Sequence, residues 1–118
     1  MRKLNLTNYI VKIRTPDRIN PGLMIDAEYP YYIKDSILNL LFIRDLQLTS
    51  AELVKQNMLA MKLEQCKEDE ILLEDEEWGR IKRAIDTFKG FGRTDVELVR
   101  RINEAKVVEV ETKNNSGG

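Results

Sequence analysis

Apolar and polar residues alternate with a period of two near the start of the chain. Tyr9, Val11 and Ile13 alternate with Asn8, Lys12 and Arg14, and Leu23, Ile25, Ala27 and Tyr29 alternate with Met24, Asp26 and Glu28. Successive side chains of a strand point to opposite faces, so this spacing predicts two strands. Between them stands Thr15-Pro16-Asp17-Arg18-Ile19-Asn20-Pro21-Gly22. Its prolines fix φ and its glycine accepts positive φ, which predicts an antiparallel hairpin with a long exposed loop.

Beyond Pro30 the period changes. Ile33, Ile37, Leu40 and Leu41 recur at helical spacing, predicting a short helix over 31–43 that is buried on more than one side. Arg44 to Leu48 reads as a connector. Thr49-Ser50-Ala51-Glu52 matches a capping box, with Leu48 and Leu53 placed as a hydrophobic staple. The helix that follows is expected over 50–66, with Leu53, Val54, Met58, Met61 and Cys66 on its apolar side. Ile71, Leu72 and Leu73, bounded by acids, predict a short buried strand. Glu74 to Glu77 suit the positive end of a helix dipole. Trp78, Ile81, Ile85 and Phe88 carry that helix's stripe, and Gly90 suits its end.

Thr94-Asp95-Val96-Glu97 is a second capping box in sequence, leading an amphipathic helix through Leu98, Val99, Ile102 and Ala105. Val107, Val108 and Val110 read as a last strand. The order is β-β-α-α-β-α-α-β, an α+β fold with an N-terminal antiparallel hairpin and helices packed on a small mixed sheet. One domain is expected over 1–112, with a polar, disordered tail over 113–118. Residues 49–55 and 94–100 echo each other, and two independent capping boxes account for the echo.

Composition narrows the function. The chain has 118 residues, 42% hydrophobic and 33% charged, which suits a globular domain with its own core. Nineteen basic and twenty acidic residues give a net charge of −1, so the basic excess of a dedicated nucleic-acid binder is missing. No apolar run approaches the ~18 residues that span a bilayer, and the N-terminus does not read as a signal peptide. The expected location is cytoplasmic (host cytoplasm for a phage-encoded chain), with no membrane partner.

The sequence contains no histidine and a single cysteine, Cys66. The commonest general base and the familiar zinc ligand sets are therefore missing, and Cys66 reads as a small core residue. Ser36, Ser50 and Ser116 sit in no nucleophile elbow. The carboxylates from Glu68 to Glu77 lack the alternating spacing and central glycine of a calcium loop. Gly90-Phe91-Gly92 follows a helix, where a phosphate loop would follow a strand. No catalytic, metal or cofactor residue is assigned, and the expectation is a non-enzyme.

Two sets of side chains are candidates for binding. Tyr29, Tyr31 and Tyr32 flank Pro30, with Tyr9 expected across the hairpin and Arg18 in its loop. Clustered tyrosines bury large area at low entropy cost, so these five residues are the candidate protein-contact set. Their competing use is to cover the sheet-to-helix junction of the same chain. The second set, Arg80, Arg83, Arg93, Arg100 and Arg101, lies on two consecutive predicted helices and the turn between them, and would serve a small nucleic-acid-associated regulator. Asp95 and Glu97, at the start of the second helix, oppose that use because phosphates would be repelled there.

Ile71-Leu-Leu-Glu-Asp-Glu-Glu-Trp78, Ile81-Lys-Arg-Ala-Ile85 and Asp95-Val-Glu-Leu-Val-Arg-Arg-Ile102 resemble patterns in small uncharacterised proteins encoded by phages and prophages. The resemblance lies mainly in the C-terminal half and rests on helix-start chemistry. It implies an accessory, assembly or host-modulating role and transfers no site residue. The leading expectation is a protein-interaction or assembly protein, with a protein partner or a second copy of itself.

Overall fold

The structure is a computed structural model that describes residues 1–109. Its strands and helices are β1 (Arg2–Asn5), β2 (Tyr9–Pro16), β3 (Met24–Tyr31), α1 (Ile33–Leu40), α2 (Ser50–Gln65), β4 (Glu70–Leu73), α3 (Asp75–Thr87), α4 (Val96–Asn103) and β5 (Lys106–Val107). The α+β class and the expected order hold, with one more strand in front. Leu4 and Leu6 are buried while Lys3 and Asn5 are exposed, so β1 follows the same period of two as its neighbours. Among the described residues, no helix is long and apolar enough to cross a membrane.

β1 is the central strand of a three-stranded sheet in the order β4-β1-β5. It pairs antiparallel with β4 (Leu4 opposite Ile71) and with β5 (Arg2 opposite Val107). The β2–β3 hairpin is a separate antiparallel sheet. The sheet expected to be mixed therefore has no parallel pair among the described residues. Val110 and the tail over 113–118 lie outside those residues.

Leu4, Ile71 and Leu73 face a common core with Ile33 and Ile37 of α1, Leu63 of α2, Ile81 of α3, and Leu98 and Ile102 of α4. Trp78 spans the junction. Its Nε1 donates to the Ile102 carbonyl at 2.9 Å, and the Arg2 guanidinium lies 3.9 Å from the indole centroid. Gly90, at φ 132°, turns the chain after α3 in a region that side chains rarely adopt.

Two expectations change at helix α2 and helix α4. The side of α2 carrying Leu53, Val54, Met58 and Met61 is the outer one, and the inner side is Gln56, Leu59, Ala60 and Leu63. Gln56 hides this in the sequence because it is polar. Inside, its amide nitrogen donates to the Leu41 carbonyl at 2.9 Å and its oxygen accepts from Arg80 at 3.1 Å, so both ends are satisfied. The Thr49–Glu52 capping box forms as read. The Thr94–Glu97 box does not, because Arg93–Asp95 is a tight 3₁₀ turn that delays α4 to Val96. The Asp95 carboxylate instead accepts from the Gly92 N–H at 2.7 Å.

Candidate functional site: a projecting hairpin arm

The hairpin stands away from the body. The molecule measures 70 × 33 × 22 Å with a radius of gyration of 17.9 Å, whereas a compact chain of this length has about 13–14 Å. Among the described residues, only the root of the arm touches the body through polar contacts. Tyr9 and Tyr31 lie opposite each other in register, and their rings stack with centroids 4.6 Å apart and planes 12° from parallel. The Tyr9 hydroxyl donates to the Thr94 carbonyl at 2.6 Å, and the Tyr31 hydroxyl donates to Asp95 Oδ1 at 2.5 Å.

Neighbouring residues brace this root. Arg101 lies 5.4 Å from the Tyr9 ring centroid and donates through Nη1 to the Thr7 carbonyl. The Asn8 side-chain oxygen accepts from the Ile33 N–H at 3.0 Å, satisfying a free amide at the start of α1. The turn that displaced the expected capping box thus presents Thr94 and Asp95 to the arm. No sequence pattern marks those two residues as tyrosine partners.

The tyrosine set therefore divides. Tyr9 and Tyr31 are half-buried and serve the chain's own junction, while Tyr29 and Tyr32 are exposed. Arg18 is exposed at the tip beside Ile19, which is 86% exposed. Cross-strand register builds two unlike faces. Val11 opposite Tyr29, Ile13 opposite Ala27 and Thr15 opposite Ile25 continue the Tyr9–Tyr31 face outward. On the other face Lys12 stands opposite Glu28, and Arg14 opposite Asp26 with 3.6 Å between Nη1 and Oδ1.

Ile13, Ile25 and Tyr29 of the apolar face are all exposed, as are Ile19 and Leu23 at the tip. Alternation in the sequence reads the same whether a sheet face is covered or bare, so it does not show that Ile13 and Ile25 are exposed. The arrangement offers an apolar strip of β structure with unpaired strand edges, suited to contact with protein.

The arginines are mostly committed inside the chain. Arg80 reaches Gln56 and Glu76, and Arg83 reaches Glu52 and the Leu46 carbonyl. Arg100 pairs with Glu97 and Glu104, while Arg101 holds Glu97 and the Thr7 carbonyl. Hydrogen bonds from Arg101 and Arg100 hold the Glu97 carboxyl below its usual range. Arg93 is exposed in the 3₁₀ turn, separate from these pairs. The acids near β4 are likewise dispersed: Glu70 pairs with Lys3, Glu76 with Lys55 and Arg80, and Glu77 with Lys62. The Cys66 thiol lies 3.7 and 3.6 Å from the carbonyls of Glu68 and Glu70.

Alkali is expected to loosen the arm's root. Burial raises both phenols, and for Tyr31 the hydrogen bond to Asp95 adds to it. An unfolded tyrosine ionises near pH 10. The stabilisation from these neutral phenols is therefore complete below about pH 10 and is lost as pH rises toward their higher folded values. Tyrosinate absorbance of the native chain should lag that of the urea-unfolded chain at about pH 10–11. Coincident titration curves would remove this account of the root. No family model, curated protein or solved structure matches the chain.

Proposed function

We propose that this chain is a non-enzymatic protein-interaction protein, an accessory or assembly factor, and that its hairpin arm is the contact element. The observation that carries the reading is the bare apolar strip of Ile13, Ile25 and Tyr29 on an arm fixed only at its root. A two-stranded hairpin is marginal in water on its own, so an uncovered apolar face on one calls for a partner surface. The resemblance to small phage-encoded proteins suits an accessory role of this kind. The ion pairs that occupy Arg80, Arg83, Arg100 and Arg101 favour protein over nucleic acid as partner.

A photo-crosslinking residue at Ile25 tests this in cells that express the chain naturally. The expected result is one dominant protein adduct, absent when the same residue replaces Asp86 on the exposed side of α3. It should also disappear when Ile13→Asp and Tyr29→Asp are introduced together. Equal, diffuse labelling from both positions would sink the reading.

A further inference from the structure

We infer that the free edge of β3 takes an added strand from another protein. That strand is an extended segment with a large apolar residue between two cationic ones, antiparallel to β3 with its apolar residue opposite Ala27. The inference rests on the arm being the contact element, and it names where and how the partner lies on it.

Backbone direction follows from the register and one bond. The Asp17 N–H donates to the Leu23 carbonyl at 2.8 Å, one step beyond the Pro16–Met24 pair. In an antiparallel ladder, pairs that exchange backbone bonds alternate with pairs that do not. The odd-numbered residues of β2 and β3 therefore bond across the hairpin, and the even-numbered ones turn N–H and C=O outward. Pro16 and Pro30 obey this, since at even positions neither removes an inward donor. On β3, Met24, Asp26 and Glu28 present open N–H groups along the projecting part of the arm. Pro30 lacks a donor only at the root, next to the body. On β2 the proline stands at the other end, so its open donors lie toward the root.

The chain itself shows which strand suits β3. On its inner side Lys12 stands opposite Glu28, Ile13 opposite Ala27 and Arg14 opposite Asp26. The outer side offers the same three residues of β3 to a second strand. The Asp26 side chain stays 59% exposed beside Arg14, and exposed Glu28 has no ion pair among the described residues. Cations opposite these two acids are favourable cross-strand pairs. On the apolar face, small Ala27 leaves a notch between Ile25 and Tyr29, both exposed, which a leucine or isoleucine of the partner fills.

β2 of a second copy carries the right charges, but this register would set its body at the same end as the first. Neighbouring arms would lie about 10 Å apart, while the shorter dimensions of the molecule are 33 and 22 Å. A linear segment meets no such obstacle. Main-chain bonds supply the affinity of an added strand and side chains its selectivity, so a large buried area is not required.

The probe is the capped peptide Thr-Val-Lys-Leu-Arg-Val-Thr, and the readout is amide exchange in the full chain. Without peptide, the Asp26 and Glu28 amides should exchange quickly and those of Ile25 and Ala27 slowly. The peptide should slow Asp26 and Glu28. Methylating the peptide's Lys and Arg nitrogens, which face β3, should abolish the effect, whereas methylating its Leu nitrogen should not. Asp26→Asn combined with Glu28→Gln should weaken binding about tenfold, as should glutamates in place of the peptide's Lys and Arg. No slowing of Asp26 and Glu28 with peptide at up to about 2 mM would overturn the inference, as would slowing of Lys12 and Arg14 in their place. Self-assembly of the chain alone, abolished by the Asp26→Asn and Glu28→Gln pair, would overturn the choice of partner. A cellular adduct from Ile25 that keeps its full yield in that double variant would also overturn the inference, while leaving the arm as the contact element.

Discussion

Replacing Tyr31 with alanine is expected to loosen the hairpin arm while the body stays folded. The ring stacks on Tyr9 and its hydroxyl donates to a carboxylate. A stacked aromatic pair contributes about 0.5–1.5 kcal/mol and a hydrogen bond to a charged group about 1.5–3 kcal/mol. The two together hold the arm by roughly 2–4 kcal/mol, so amide exchange in residues 9–31 should quicken by about 30-fold or more. Amides of α3 and the central sheet should change far less. Tyr31→Phe keeps the stack and loses the bond to Asp95, and it should fall between the two. Unchanged exchange in the arm of Tyr31→Ala would mean that the root is held by something other than this pair.

Trp78→Ala should lower global stability most. The indole joins α3 to the end of α4 through the Ile102 carbonyl and lies against Arg2, whose Nη1 in turn donates to the Ala105 carbonyl at 2.9 Å. Truncation removes the ring contacts at the meeting of sheet and helices and takes from the Ile102 carbonyl its side-chain donor, leaving it the Ala105 N–H at 3.4 Å. Losses of this kind run to about 3–5 kcal/mol. At roughly 4 °C per kcal/mol for a domain of this size, Tm should drop by about 12–20 °C. Trp78→Phe, which keeps a ring but no N–H, should lose about 1–2 kcal/mol. A thermal scan placing Trp78→Ala within about 3 °C of the parent would contradict the role given to this residue.

Much of the architecture was legible in the sequence because local physics decides it. The alternation around Val11 and Ile25 specified the hairpin, and Thr49 with Glu52 marked the start of α2. β1 was harder to read, since four residues of which three are polar give little pattern. The inner face of α2 was misread for a different reason. Two stripes fit its sequence, and a glutamine stands on the buried one because a carbonyl and an arginine from other elements satisfy it. Thr94 and Asp95 failed similarly, as their partners are tyrosines more than sixty residues away. Of the five candidate contact residues, the sequence could not separate Tyr9 and Tyr31 at the root from Tyr29, Tyr32 and Arg18 in the open. That division depends on where the body ends.

The charged face of the arm has a consequence for how it meets its own kind. Its cations Lys12 and Arg14 are both on β2, and its anions Asp26 and Glu28 are both on β3. Two arms approaching edge to edge through the same strand would bring like charges together along the new ladder. Lateral growth of a sheet by symmetric pairing is thereby discouraged, although both strand edges are open. Only an approach of β2 on β3 of another copy would set these cations against acids, so the charges select the heterologous pairing over the symmetric one.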